Sequence, residues 1–261
     1  MTINRILIKF VIINSTEMKL LKLISVILFF ELYLVSLEGY AQFKIDVFSS
    51  IAVNPIERPC LITAGFTPGY EYKGLSLDYS MDININHRET KVINAFAASM
   101  SYKFNIKNNP LKISVFYCNK PISQMLQIHN TGLKFKYEVK KWEFTLGNNF
   151  NIYRFTNDAA DTYNINDNQY LVESANIMYS VKYYIMQPLS LYNFYINLTN
   201  FELFIIEQET NPMLNVGFIW KKNNNWPKVF VDYWYQSAGF NNIRVNYFGW
   251  LTRIGVQWDI K

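Results

Sequence analysis

The chain's dominant regularity is a period of two. In Leu75–Asn86 the residues Leu75, Leu77, Tyr79, Met81, Ile83 and Ile85 alternate with Ser76, Asp78, Ser80, Asp82, Asn84 and Asn86 without exception. Ala95–Lys107 repeats the pattern, with Phe96, Ala98, Met100, Tyr102, Phe104 and Ile106 on one parity. Such spacing gives a β-strand one apolar and one polar face. It predicts twelve strands: Phe43–Val53, Leu61–Lys73, Leu75–Asn86, Ala95–Lys107, Leu111–Asn119, Gln124–Val139, Lys141–Arg154, Asn176–Met186, Leu191–Leu203, Met213–Lys221, Lys228–Gln236 and Tyr247–Lys261, or ten if two short runs merge. No segment carries sustained helical periodicity. Two irregularities are expected. Gln127, His129 and Thr131 share one parity while Lys134, Lys136 and Glu138 share the other, which predicts a bulge at Gly132. Pro68, which has no N–H for a ladder, marks the second.

The connections alternate in length. Lys73-Gly74 and the stretches NIKNNP, EVKK, MQPLS and KKNNNWP are tight and polar, and between them fall NPIERPC, NHRETK, Thr156–Val172 and IIEQETNP. Short turns at one end and longer loops at the other are the asymmetry of a transmembrane β-barrel, and an even strand count lets the last strand close on the first. A soluble sandwich also alternates, but its apolar face points inward. Strand length favours the membrane. The runs are ~9–13 residues, against the ~9–11 a tilted spanning strand needs and the ~5–6 usual in soluble sheets. Trp142, Tyr233, Tyr235, Trp250 and Trp258 lie on the apolar parity near strand ends, where an interfacial girdle sits. The expected fold is therefore an all-β, antiparallel transmembrane barrel over residues 42–261. Twelve strands at ~4.8 Å spacing and ~40° tilt give a backbone diameter of roughly 24 Å and leave a lumen of ~10 Å between opposing side chains.

Composition narrows the class. Half of the 261 residues are hydrophobic, yet mean hydropathy is only −0.02, so apolar residues are spread evenly and a helical membrane protein is excluded. Met18–Ala41 is the exception: Lys19 and Lys22 precede the apolar Ile24–Leu37, and Gly39 and Ala41 stand at a cleavable spacing. This reads as an export signal peptide rather than an anchor, because the run is shorter than the ~20 residues a spanning helix needs. Residues 1–17 read as an upstream extension, with Met18 as the alternative start. Of the formal +5, about +4 remains after residue 41, too mild a charge to imply nucleic acid.

With Ala41-Gln42 as the signal-peptide boundary and alternating strands throughout residues 42–261, the chain resembles small outer-membrane β-barrel proteins, in particular porin-like ones of Bacteroidota. The resemblance implies a cell outer-membrane location, with lipid and the barrel-assembly machinery as partners and no cofactor. It departs at the terminus, since Trp258 is followed by Asp259, Ile260 and Lys261 where many such proteins end on an aromatic residue.

The polar parity supplies the candidate site. Lys44, Asp46, Glu71, Asp78, Asp82, Lys103, Lys112, Lys134, Lys136, Glu143, Lys182, Asp232, Arg253 and Asp259 are expected to line the lumen. Both signs are mixed, so internal salt bridging competes with a selective filter as their role. The leading function is passive passage or binding of small polar solutes; the alternatives are a non-conducting structural or assembly component and, last, a lipid-modifying enzyme. Catalytic parts are scarce. His129 and Thr131 share a parity without an orienting acid, and Asp78 and Asp82 lie ~13 Å apart along one strand. Two histidines offer no metal cluster, and the Asp-containing Thr156–Val172 lacks the glycine turn and closing Glu of a calcium loop; it is expected to be a hydrated loop at the pore mouth. Cys60 and Cys118, about three strand spacings apart, are expected not to bridge.

Overall fold

The computed structural model describes residues 42–54, 58–86, 93–121, 126–163, 170–186, 191–201, 212–222, 226–236 and 249–260. The signal-peptide reading of residues 1–41 lies outside the described residues. The strands are β1 (Gln42–Asn54), β2 (Arg58–Tyr72), β3 (Leu75–Asn84), β4 (Ile93–Ile106), β5 (Asn109–Pro121), β6 (Leu126–Val139), β7 (Trp142–Phe155), β8 (Tyr170–Tyr184), β9 (Tyr192–Thr199), β10 (Met213–Lys221), β11 (Lys228–Gln236) and β12 (Trp250–Ile260). Each pairs antiparallel with its sequence neighbours, and β12 pairs with β1 from Phe43↔Ile260 to Val53↔Trp250, closing the barrel. Every strand thus has two partners and no sheet edge remains.

The tight end is set by local chemistry. β2–β3 and β4–β5 are two-residue hairpins in which Lys73, Gly74, Lys107 and Asn108 all have positive φ, the backbone of a type I′ turn whose twist matches that of its flanking strands. At Gly74, with φ 85°, an added Cβ would also press on the Lys103 carbonyl oxygen at 2.6 Å.

The burial pattern is inside-out relative to a water-soluble protein. Among the described residues, 21 polar or charged side chains are buried against 14 apolar ones. In β9 the outward Tyr192, Phe194, Ile196 and Leu198 are exposed while Asn193, Tyr195, Asn197 and Thr199 are buried. An apolar belt of this extent facing out is stable only against lipid, since in water it would aggregate. Aromatics bound the belt on both sides. At the turn end Trp142 packs on Tyr183, with ring centroids 4.7 Å apart, and Tyr192, Trp220 and Trp258 join them. At the loop end stand Tyr117, Tyr235 and the stacked pair Tyr233 and Trp250. Trp250 and Trp258 lie eight residues apart on β12, about 26 Å along the strand and about 20 Å along a barrel axis tilted by ~40°.

Three expectations are corrected, and that of an irregularity at Pro68 is met. Gly132 carries no bulge: it pairs with Phe116 on one side and Asn149 on the other in unshifted register. β6 stays in phase and its surroundings change instead, because at the loop end Gln127 and His129 face out beyond the apolar belt while Ile128 turns inward and is buried. The register shifts lie at Ala52/Asn54, Asp82/Ile83 and Tyr153/Arg154. Pro68 interrupts the β2–β3 ladder without shifting it, since Phe66↔Met81 and Gly69↔Asp78 keep one register. The expected loop after β7 begins with a helix, α1 (Asn157–Tyr163). Seven residues are too few to register as a period, but Thr156, whose carbonyl accepts the Ala160 N–H at 2.9 Å, is a favoured N-cap residue. Finally, β8 starts at Tyr170 rather than Asn176, and β9 stops at Thr199 rather than Leu203.

Candidate functional site

Inward residues follow from the register. Across one row Lys103 stands opposite Lys112, Lys112 opposite Lys136, and Lys136 opposite Thr145. The next row towards the loops runs Ser101, Ser114, Lys134 and Gly147. On the far wall Asp232 is opposite Arg253, Arg253 opposite Ser50, and Lys44 opposite Asp259.

These walls enclose a cavity of about 430 Å³. Lys44, Asp46, Asp78, Lys134, Lys136, Glu143, Lys182, Asp232 and Arg253 line it, as does Lys112. Of the remaining candidates, Asp82 points inward between Gly65 and Ala95 but is buried away from the cavity. Glu71, Lys103 and Asp259 stand on the inward parity at the exposed turn-end mouth. The cavity lining holds six cations and four carboxylates, so its own charge is +2.

A belt of contacts runs round most of the wall. Lys136 Nζ lies 2.8 Å from Glu143 and 3.0 Å from Glu138. Glu143 also faces Lys182 at 3.9 Å and accepts a hydrogen bond from Tyr184 at 3.3 Å. Lys182 sits over the Tyr195 ring at 4.5 Å, and the Tyr195 hydroxyl donates to Asp232. Arg253 beside Asp232 lies 4.9 Å from the Phe48 ring centroid. Charges held in a membrane-embedded wall need such partners, because removing an ion from water costs several kcal/mol (about) unless it is paired. Elsewhere Lys44 pairs with Asp46 at 2.9 Å and Lys228 with Asp259 at 3.0 Å.

The inward aromatics escape the parity reading. Phe48, Phe116, Tyr195 and Phe230 sit on the polar parity, each directly opposite a glycine: Gly65, Gly132, Gly217 and Gly255. A Cβ on any of the four glycines would collide with the facing ring, so the rings lie over bare backbone instead of filling the lumen. The signal was present in the sequence as a glycine among polar positions facing an aromatic residue on the adjacent strand.

The roof of the cavity comes from the end of β9. There the Asn200 side chain takes over the ladder of β8, accepting from the Tyr179 N–H at 2.8 Å and donating to the Ile177 carbonyl at 2.8 Å. The Thr199 hydroxyl accepts from the Phe201 N–H at 3.1 Å. The chain bends inward, and Phe201 reaches across to the Phe116 ring of β5, 5.0 Å between centroids. Asn149, on the same rung as Phe116, and Ile128 and Asn151, further loop-ward along β6 and β7, are almost fully buried. Thr156–Val172 was expected at the mouth; among its described residues Ala160 is buried and Asp161 exposed.

The remaining candidate chemistry is dispersed. His129 faces outward, within 2.7 Å of the Tyr117 hydroxyl and 3.2 Å of Asn119. Thr131 donates its hydroxyl to the Phe116 carbonyl at 3.1 Å, so it forms no nucleophile–base pair with His129. His87 lies outside the described residues. Cys60 and Cys118 are not joined by a disulfide, and no group of three metal-ligating side chains occurs among the described residues.

No protein-family model matches the sequence, and no curated protein matches it. Solved structures do. The KdgM porin in complex with disordered oligogalacturonate is similar over 84% of this chain and 99% of that chain, at 11% identity and a TM-score of 0.53. A further KdgM porin structure is similar over the same shares, at 12% identity and a TM-score of 0.51. At this identity the likeness is one of fold: this chain has the closed antiparallel barrel of a porin.

Proposed function

We propose that this protein is an outer-membrane barrel whose lumen binds small polar solutes and passes them. The carrying observation is the cavity of about 430 Å³, lined by ionic side chains and enclosed by a wall whose outer face is apolar. A lipid-facing cylinder around a charged, hydrated interior is the arrangement of a diffusion pore. The fold shared with the KdgM porin supports the reading. Delivery to that membrane rests on the export signal read in Met18–Ala41 and on the barrel-assembly machinery. Roofing by Phe201 restricts passage to small solutes.

The test is single-channel recording from refolded barrel in planar bilayers, with heat-modifiable gel migration as the check on folding. Discrete conductance steps are expected; their absence from correctly folded protein overturns the pore. The contact of Phe201 with Phe116 favours a second reading, a non-conducting barrel with an internal solute pocket. Folded protein that shows no steps, even after Phe201→Ala, selects it.

A further inference from the structure

Resting on the reading of the lumen as a solute site, we propose that β4, β5, β6 and β7 present a binding site for a small oxyanion of two or more negative charges. Two neighbouring rows of the wall read Lys103, Lys112, Lys136, Thr145 and Ser101, Ser114, Lys134, Gly147. Every polar side chain in these two rows can donate a hydrogen bond, and none is a carboxylate.

The register makes the row costly without a ligand. Directly opposed residues hold their Cβ atoms within ~5.5 Å, and like charges placed so repel. Lys112 has a lysine on each side, Lys103 and Lys136. Of the three, Lys136 is neutralised by Glu138 and Glu143. Lys112 lies within 4 Å of no carboxylate among the described residues, although it is half-buried and lines the cavity. On its other flank Asp78 of β3 and Glu71 of β2 attract it from beyond ion-pair distance, and Asp78 also accepts a hydrogen bond from Ser99 at 3.4 Å. A cation held between two others, beside the buried hydroxyls of Ser101 and Ser114, is the environment that a multiply charged oxyanion would complete. Lysine suits this role as a compact point charge.

The site predicts effects of opposite sign on stability and on binding. Refolded barrel at low ionic strength is titrated calorimetrically with inorganic phosphate and, separately, with citrate, which distinguishes a phosphoryl ligand from a carboxylate one. Saturable binding of at least one is expected. Lys112→Gln should weaken the tighter of the two about tenfold, the loss of one charge-assisted contact. In the absence of anion the same variant should resist urea as well as or better than the parent, because a repulsion has been removed. Binding of neither anion, or unchanged affinity in Lys112→Gln, overturns the site. So does a variant less stable without anion, which would make Lys112 a structural cation. Bilayer recordings separate the two proposals: conductance without binding or anion preference removes the site and leaves the pore, and binding without conductance removes the pore and leaves the site.

Discussion

Phe48, Phe116, Tyr195 and Phe230 point into the lumen, and each covers a glycine directly across the ladder. The pairing settles a conflict between packing and space, since a large ring buries apolar area yet leaves the cavity open only if the facing residue has no side chain. Gly255 shows how tight it is, lying opposite Phe230 on one side and Phe48 on the other. Gly217→Ala places a methyl group where the Tyr195 ring lies, and displacing that ring also breaks its hydrogen bond to Asp232. The expected loss is about 1–3 kcal/mol, the usual cost of overpacking, read as a lower urea midpoint for the refolded barrel; an unchanged midpoint would show that the ring can move freely. Glu143 poses the complementary case. It is buried and neutralises Lys136 and Lys182 together. Glu143→Gln leaves Lys182 without its carboxylate while Lys136 retains Glu138, so the expected cost is about 3 kcal/mol, at the low end for breaking a buried pair. The same titration checks it, and a cost below that of an exposed pair, about 1 kcal/mol, would show that water solvates the pocket in place of Glu143.

Among the elements, β12 has the plainest role, because Trp250–Ile260 hydrogen-bonds to β11 and β1 at once. Ending the chain at Gly249 exposes two strand edges within the hydrocarbon, where an unsatisfied peptide group costs several kcal/mol (about). Such a protein should give no heat-modifiable band, and a truncated chain that migrates as a folded barrel would refute the closure. The outer face yields a graded prediction. Leu146 lies mid-strand on β7 and is 61% exposed, whereas Trp258 belongs to the girdle at the turn end. Leu146→Arg should cost about 2–4 kcal/mol in bilayer refolding and Trp258→Arg about 1 kcal/mol, the depth dependence of a charge facing lipid; equal costs would mean that the apolar belt does not face hydrocarbon. All twelve strands were legible in the sequence because a period of two depends on local alternation alone. The elements that escaped it depend on something else. Gly132 looked like a bulge because the sequence does not say that Gln127 and His129 lie above the apolar belt. β9 looked longer because Asn200 replaces its backbone in the β8 ladder, a tertiary substitution with no periodic trace. The inward lysines were legible by parity, but the arrangement of Lys103, Lys112 and Lys136 into one opposed row required the register of two strand pairs.

For the whole molecule the quantity that governs passage is the calibre of the lumen. A twelve-stranded cylinder with short side chains throughout would leave a continuous aqueous path, and the turn-end half of this barrel has one in its charged cavity. The loop-end half differs, since the wall drops from the 15 residues of β8 to the 8 of β9. There the chain leaves the sheet at Thr199, and Phe201 crosses to Phe116. Because Phe116 is held over Gly132, the roof has one fixed jaw and one carried by the bend at Thr199 and Asn200. Shortening the second jaw should widen the path without disturbing the ladder, because Asn200, not Phe201, makes the bonds to β8. Phe201→Ala is therefore expected to raise single-channel conductance about twofold while leaving heat-modifiable migration unchanged, as expected where an apolar constriction limits flow. Asn200→Ala should behave differently: it leaves the Tyr179 N–H and the Ile177 carbonyl without their partner and lowers stability by about 1–3 kcal/mol. If Phe201→Ala conducts like the parent, the narrowest point lies elsewhere along the axis, and the buried Asn149 and Asn151 of β7 become the next positions to shorten.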